Sequence, residues 1–367
     1  MKKCVIASDS FKGTLSSKQI ADIFEDEFIK AFPHAKLEKI VLGDGGENTL
    51  EVFADHFKNG EFHTVEVMGP NWQKINAKYF TYDDVAVVEL AEASGLWLAT
   101  TRNPAKTTTF GVGLLIKDAF LRGYKRFYIA LGGSSSTDGG CGLLSALGVK
   151  FYNSKNEEFV PVGETLNDIR KIDSSSLIVK DARFIILSDV NNPMYGEKGA
   201  AKVFAKQKGA SNKQIEMLDH NLKCFNNLLI KQFGTDVSNI PGSGAAGATA
   251  AGILAFLDSE IVSGIDTILN LIHFGEIIKD ADYVFTGEGK LDKQSFDGKL
   301  ISGVLKYTKE QNIKTICICG ISDFVRQPNE FYKVMGISHK NEPFDKIKKN
   351  AENNYRQTIK NCFSYLD

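Results

Sequence analysis

Short runs of β-branched and aliphatic residues alternate along the chain with stretches whose apolar positions recur every three or four residues. Lys3–Ser8 predicts a buried strand. Ser16 or Ser17 then caps a helix with Ile20, Ile23, Phe24, Phe28 and Ala31 on one face. Lys36–Leu42 predicts the next strand, followed by a helix carrying Leu50, Phe53, Ala54 and Phe57. Between Glu61 and Ala91 the pattern changes. Phe62–Val67, Asn76–Tyr82 and Asp84–Leu90 are strand-like with no helix between them, and Gly69-Pro70-Asn71 makes a turn, so this stretch predicts antiparallel or mixed pairing. Alternation resumes with helix Phe110–Arg122, strand Arg126–Leu131, helix Gly140–Leu147 and strand Arg183–Leu187. The helices Asn212–Phe233 and Ala245–Leu257, strand Tyr283–Thr286, helix Ile301–Gln311 and strand Lys314–Cys319 follow. The order predicts an α/β protein with mainly parallel sheets.

Composition narrows this picture by exclusion. A chain of 367 residues suggests two domains, and 43% hydrophobic with 24% charged residues is ordinary for a globular protein. The net charge of -1 leaves no bulk field for nucleic acid or an anionic membrane. The apolar stretch after Lys2-Lys3 is too short for a signal peptide, and Ala245–Leu257 is too short and glycine-rich to span a bilayer. The six cysteines are scattered without a Cys-x-x-Cys pair, which disfavours zinc and disulfides. A cytoplasmic, reduced protein is expected. Lys346-Ile347-Lys348-Lys349 reads as a solvated helix face. One number departs from average: 33 glycines, against about 7% in a usual chain.

Their positions matter more than their number. Six strand-like runs each end in a loop that mixes small or polar residues with a carboxylate. These loops are Asp9–Gly13, Gly43–Glu47, Glu92–Gly95, Gly132–Gly140, Asp189–Pro193 and Gly287–Asp292. Ligands of open α/β sheets bind outside the carboxyl ends of the strands. Glycine brings backbone N–H groups close to phosphate oxygens, and acids suit Mg²⁺ or substrate hydroxyls. Lys12, Lys208 and Lys299 flank some of the loops and suit phosphate. Each loop alone is also a common turn composition; the ordered set points to phosphoryl chemistry.

Familiar motifs fit poorly. Gly298-Lys299 is followed by Leu300 and lacks the earlier glycine of a Walker A loop. Gly242-Ser243-Gly244-Ala245-Ala246-Gly247 matches the dinucleotide fingerprint formally, but Pro241 and a poor preceding strand argue against it. A glycine-rich turn opening a helix is the better reading. Gly132-Gly133-Ser134 does not meet the Gly-x-Ser-x-Gly pattern, and the histidines avoid all six loops.

Read together, the loops resemble the bacterial type I glycerate kinase family. The first half carries Ser8-Asp9-Ser10-Phe11-Lys12-Gly13, Asp44-Gly45-Gly46-Glu47, Glu92-Ala93-Ser94-Gly95, Asn103-Pro104, Thr107–Gly113, and Gly132-Gly133-Ser134 with Asp138-Gly139-Gly140. The second half carries Asp189–Pro193, Gln207-Lys208-Gly209-Ala210, Pro241–Gly247, and Thr286–Gly289 with Asp292, Gln294, Gly298 and Lys299. The resemblance covers roughly residues 5–320. Asn48, Thr137, Lys290 and Ala248 depart from the family's usual glycine, asparagine, arginine and glycine.

The resemblance implies ATP- and Mg²⁺-dependent phosphorylation of D-glycerate, with 2-phosphoglycerate favoured over 3-phosphoglycerate. It also implies a discontinuous Rossmann-like or flavodoxin-like domain, 1–60 plus 278–367, with an α/β domain of 61–277 inserted and the active site in the cleft between. Asp189 is the expected proton acceptor. Lys12 would contact the transferred phosphoryl or the glycerate carboxylate. Asp9, Ser10, Asp44, Glu92, Ser94, Asn191, Gly133 and Ser134 are expected at the substrate. Gly242, Gly244, Gly247, Glu288 and Lys299 are expected at the nucleotide, and Asp44, Glu288 and Asp292 at the metal. A non-catalytic sugar-acid sensor and a kinase of a related hydroxy acid remain as alternatives. Oligomeric state is not legible.

Overall fold

The computed structural model describes residues 2–11, 13–43, 46, 48–296, 300–339 and 342–366. The chain divides into two compact units: a discontinuous one, Met1–Asp44 with Ile265–Asp367, and a continuous one, Gly45–Gly264. Both divisions fall ahead of the expected 60/61 and 277/278. Packing explains the first. Helix Thr49–His56 belongs to the continuous unit, where Phe53 lies against Tyr82 and Tyr128 with ring centroids 5.9 and 5.7 Å away.

In the discontinuous unit five parallel strands stand in the order Lys333–Gly336, Lys314–Cys319, Tyr283–Thr286, Lys3–Ser8, Lys36–Val41. Strand addition reverses direction between Lys3–Ser8 and Tyr283–Thr286. That reversal is a topological switch point, where open parallel sheets leave room beyond their carboxyl ends. Asp9-Ser10 and Gly287-Glu288 emerge there. Cys4, Ile6, Phe285 and Ile316 on the sheet meet Phe24 and Phe28 of helix Ser17–Ala31 and Tyr355 and Ile359 of helix Phe344–Phe363. The first of these helices starts on a capping box. The Ser16 hydroxyl accepts the Gln19 N–H, and the Gln19 side chain accepts the Ser16 N–H.

The continuous unit has a six-stranded sheet in the order Asp258–Val262, Arg183–Leu187, Arg126–Ala130, Val85–Glu89, Lys74–Tyr82, Glu61–Met68. The first four strands are parallel and the last two antiparallel, so the strand-rich stretch after Glu61 pairs as expected. Because four strands share one direction, the loops after Glu89, Ala130, Leu187 and Val262 leave the sheet at one edge. Helix Phe110–Leu121 is apolar along most of its length. It buries Val112, Leu115, Ile116 and Ala119 in a core shared with Phe127, Ile129, Phe184 and Ile186.

All six cysteines are free. Among the described residues no helix is long and apolar enough to cross a membrane.

Candidate active site

The loop after strand Arg126–Ala130 is the best-anchored feature at the sheet edge. Its backbone is tied from three directions. The Ser135 N–H and hydroxyl both donate to the Ser94 carbonyl at 2.9 and 2.8 Å. The Thr137 N–H donates to Pro104 O at 3.1 Å, and the Gly139 N–H to Gly247 O at 3.2 Å. Asp138 is fully buried and holds the far end. Its Oδ2 accepts the Thr109 N–H and hydroxyl at 2.8 Å each, and its Oδ1 accepts the Gly140 N–H at 3.1 Å. Burial pushes this carboxyl upward from its usual range, and the donated bonds oppose the shift.

This network alters one expectation. The N–H groups of Ser135, Ser136, Thr137, Gly139 and Gly140 are already engaged within the protein. The loop is therefore a scaffold more than an open cradle of donors. Ser94, expected at the substrate, is completely buried and donates its hydroxyl to Thr108 O at 2.9 Å. Gly133 takes a positive φ of 69°, and its carbonyl receives the Leu96 N–H.

Against this loop lies the start of helix Ala245–Phe256, which is not the regular helix its composition predicts. Ala246, Gly247 and Ala248 all have left-handed backbone, with φ of 53, 66 and 65°. Gly247 is required twice over. A Cβ there would meet Ser136 O at 2.1 Å, and its positive φ strains any other residue. Ala248 adopts the conformation glycine takes without strain. The Ala246 and Gly247 N–H groups have no acceptor among the described residues. Gly244 donates to Asn192 O at 2.9 Å, joining this turn to the loop after Leu187.

That loop carries Asp189, whose Oδ1 accepts the Gly264 N–H at 2.9 Å. The carboxylate is thus held at the ends of two adjacent parallel strands. Asn191 is exposed, while the Asn192 side chain donates to Lys198 O. Glu92 is half-buried and accepts the Lys78 N–H at 3.3 Å. Burial raises its carboxyl, and the Lys78 bonds pull the other way.

In the discontinuous unit the strand-end loops look different. The Asp9 N–H donates to Gly287 O, and Asp9 Oδ1 accepts the Ser10 N–H at 2.6 Å. Glu288 is half-exposed, and its carbonyl takes the Gly320 N–H. Asp292 is engaged locally. Its Oδ1 accepts the Gln294 N–H at 2.9 Å, and it lies 3.5 Å from the Lys290 ammonium. Lys12, Asp44 and Lys299 lie outside the described residues.

Two further residues stand out: Lys208, expected only to flank a loop and suit phosphate, and Glu89, for which no role was expected. Lys208 is only 4% exposed, with Nζ 2.6 Å from Ser136 O and 3.3 Å from Ser134 Oγ. Burial pushes its pKa down to about 7, which the charge of Asp138 partly opposes. Glu89 closes its strand 4% exposed and accepts the Asn48 and Leu50 N–H groups at the start of helix Thr49–His56. Burial, aided by the Glu51 charge, raises it to about 8. Asn48 has a φ of 67°, left-handed backbone that asparagine tolerates. The signal for Lys208 was a lysine before glycine in the connection between two helices. For Glu89 it was an acid ending an otherwise apolar strand.

The model of the glycerate kinase family matches residues 4–367. The chain belongs to the glycerate kinase family. Membership makes it a kinase. A glycerate kinase of Bacillus cereus (strain ATCC 10987 / NRS 248) is 39% identical over 98% of this chain and 96% of its own length. The glycerate 2-kinase of Escherichia coli (strain K12) is 39% identical over 87% of this chain and 85% of its own. A crystal structure from Salmonella typhimurium LT2 that carries the name glycerate kinase 2 superposes with a TM-score of 0.84 at 34% identity. It covers 100% of this chain and 98% of that one. The α/β architecture with mainly parallel sheets is thus the family's.

Proposed function

We propose that this kinase transfers the γ-phosphoryl group of ATP to a hydroxyl of D-glycerate, with Mg²⁺, giving 2-phosphoglycerate. The observation that carries the reading is the Asp189 carboxylate, held beyond two parallel strands beside the glycine turn Gly242–Gly247, in a chain whose relatives named glycerate kinase match it along most of its length. The name of the Escherichia coli relative supports the 2-phosphate.

Phosphoryl transfer asks for positioning, charge neutralisation and a proton acceptor. Asp189 takes the proton from the substrate hydroxyl as that oxygen bonds to the γ-phosphorus and the bond to the ADP oxygen breaks. The Gly264 N–H at Oδ1 fixes the carboxylate's orientation. The Ala246 and Gly247 N–H groups and the Ser134 hydroxyl are donors for anionic oxygens. Lys12 and Lys299 are retained as phosphate contacts and Asp44 as a substrate or metal contact. Asp9, Ser10, Glu92 and Asn191 remain candidates for the glycerate hydroxyls.

Among the described residues no three acidic, cysteine or histidine side chains stand together as a metal cage. Mg²⁺ does not require one, since it keeps several waters and takes one or two carboxylates plus phosphate oxygens. The donor set fits. Glu288, on its strand-end loop, is the first choice to hold the ion, with Asp292 second because its carboxylate already serves a local turn. When bound, Mg²⁺ neutralises phosphate charge.

The test is ADP release from MgATP with D-glycerate, L-glycerate, tartronate and glycerol supplied separately. Release with D-glycerate in clear excess over the other acceptors is expected. No release with any acceptor, alongside measurable glycerate binding, would replace the kinase reading with a sensor.

A further inference from the structure

Lys208 is difficult to explain by stability. Burying an ammonium costs several kcal/mol unless a carboxylate pairs with it closely, and among the described residues no carboxylate lies within salt-bridge distance of Nζ. Its partners are a carbonyl, Ser136 O, and a hydroxyl, Ser134 Oγ. An apolar side chain of the same length would fill the space at lower cost.

What Lys208 does to Ser134 is more informative. The Ser134 oxygen accepts from Lys208 Nζ at 3.3 Å and from the Ser136 N–H at 3.2 Å. A hydroxyl oxygen has two lone pairs, so both are used. Only its proton is left to offer. The acceptors within its reach are Ser136 Oγ at 3.4 Å, and Ser136 O and Ala246 O at 3.5 Å each. All stand well beyond the usual 2.7–2.8 Å for a hydroxyl donor. Ser134 is therefore a donor awaiting a better acceptor, with a cation behind it. Next to it is the Ala246–Gly247 turn, whose N–H groups also lack acceptors among the described residues.

We propose that Lys208 is a positioning residue that turns Ser134 into an obligate donor and supplies the positive charge for an anionic substrate oxygen bound at Ser134 and the Ala246–Gly247 turn. The inference rests on the kinase reading and deepens it. A carboxylate of glycerate and a phosphate of the nucleotide share this chemistry, and binding measurements separate them.

The experiment titrates D-glycerate and ADP, each alone, into the wild-type protein and into Lys208→Met, Ser134→Ala and the double variant. Melting temperatures are measured alongside. Lys208→Met is expected to melt no lower than wild type yet to weaken one ligand by about 10–100-fold, the usual worth of hydrogen bonding to a charged group. Loss confined to D-glycerate assigns the carboxylate, and loss confined to ADP assigns a phosphate. Ser134→Ala should weaken the same ligand, and the double variant should lose little more than Lys208→Met alone, because the two act as one unit. The wild-type affinity for that ligand should also decline as pH rises through about 7. Asp138 is the charged group acting on Lys208, and this decline should vanish in Lys208→Met.

If Lys208→Met keeps both affinities within threefold, or loses affinity that Ser134→Ala retains, the inference is wrong. Should Lys208→Met fail to fold, Lys208→Arg with Ser134→Ala carries the test. Lys208→Arg keeping the affinity that Ser134→Ala loses supports the inference, and a Ser134→Ala protein with unchanged binding overturns it. A wild type that turns over D-glycerate while Lys208 variants bind normally leaves the kinase reading intact. A wild type that binds neither ligand removes both.

Discussion

The strand-end loops of the two units occupy equivalent places on parallel sheets but are built differently. In the continuous unit, Ser134–Gly140 is buried and tied to three other segments, and the Lys208 ammonium is buried against it. In the discontinuous unit, Asp9-Ser10 and Gly287–Asp292 are more exposed and rich in carboxylates, and their backbones bond to each other and to the segment Gly320–Asp323. A rigid, buried frame suits groups that must hold an anion or a base in one orientation, since reorganisation at the moment of reaction is avoided. An exposed, acidic loop suits a hydrated ion or exchanging ligands. The difference assigns positioning to the first region and charge compensation to the second.

Asp189→Asn should test the rigid side most severely. Its turnover is expected to fall about 10²–10⁴-fold, the usual contribution of a general base, with D-glycerate binding changed only a few-fold. Near-normal turnover would remove Asp189 from the proton step. Gly247→Ala comes next. Its Cβ would meet Ser136 O at 2.1 Å in a strained backbone, so urea unfolding should show a loss of about 2–3 kcal/mol. Full stability would mean that the frame is looser than its hydrogen bonds suggest.

Glu89 gives a pH test of the same unit. Its folded pKa of about 8 lies above the unfolded value of about 4.3, so between these pH values the native state binds the extra proton. Stability from this group is therefore greatest at low pH and declines as pH rises toward 8. Melting of Glu89→Gln should lack that decline when followed from pH 5 to 8, and a parallel slope in both proteins would exclude Glu89 as its source. The smallest effect is expected in the acidic loop. Asparagine caps turns about as well as aspartate, so Asp292→Asn should keep its Mg²⁺ dependence within about threefold. A larger loss would make Asp292 a metal ligand beside Glu288 and sharpen the distinction between the two regions.

Much of this was legible in the sequence. Lys3–Ser8, Arg183–Leu187, Tyr283–Thr286, Lys314–Cys319 and helix Asn212–Phe233 lie where their periodicity predicts. Strands Asp258–Val262 and Lys333–Gly336 were not anticipated. Both are short sheet-edge strands, partly exposed on both faces, and so lack an alternating pattern. The closing helix Phe344–Phe363 buries only Ala351, Tyr355, Ile359 and Cys362 amid a polar remainder, which leaves a thin stripe to read. Asp189 and Ser134 were visible as loop residues after strands. Lys208 was visible only as a lysine flanking the loops and Glu89 was not singled out, because the burial that makes them important is against backbone groups distant in sequence. The left-handed turn at Ala246–Ala248 was hidden for a related reason: its alanines predict helix, and tertiary contacts impose another conformation.

The central claim is transfer of a phosphoryl group to glycerate, and phosphorus NMR of a reaction of the wild-type protein with MgATP and D-glycerate tests it most directly. The account predicts one 2-phosphoglycerate formed for each ADP released. ADP accompanied only by inorganic phosphate, or no ADP at all, would contradict it.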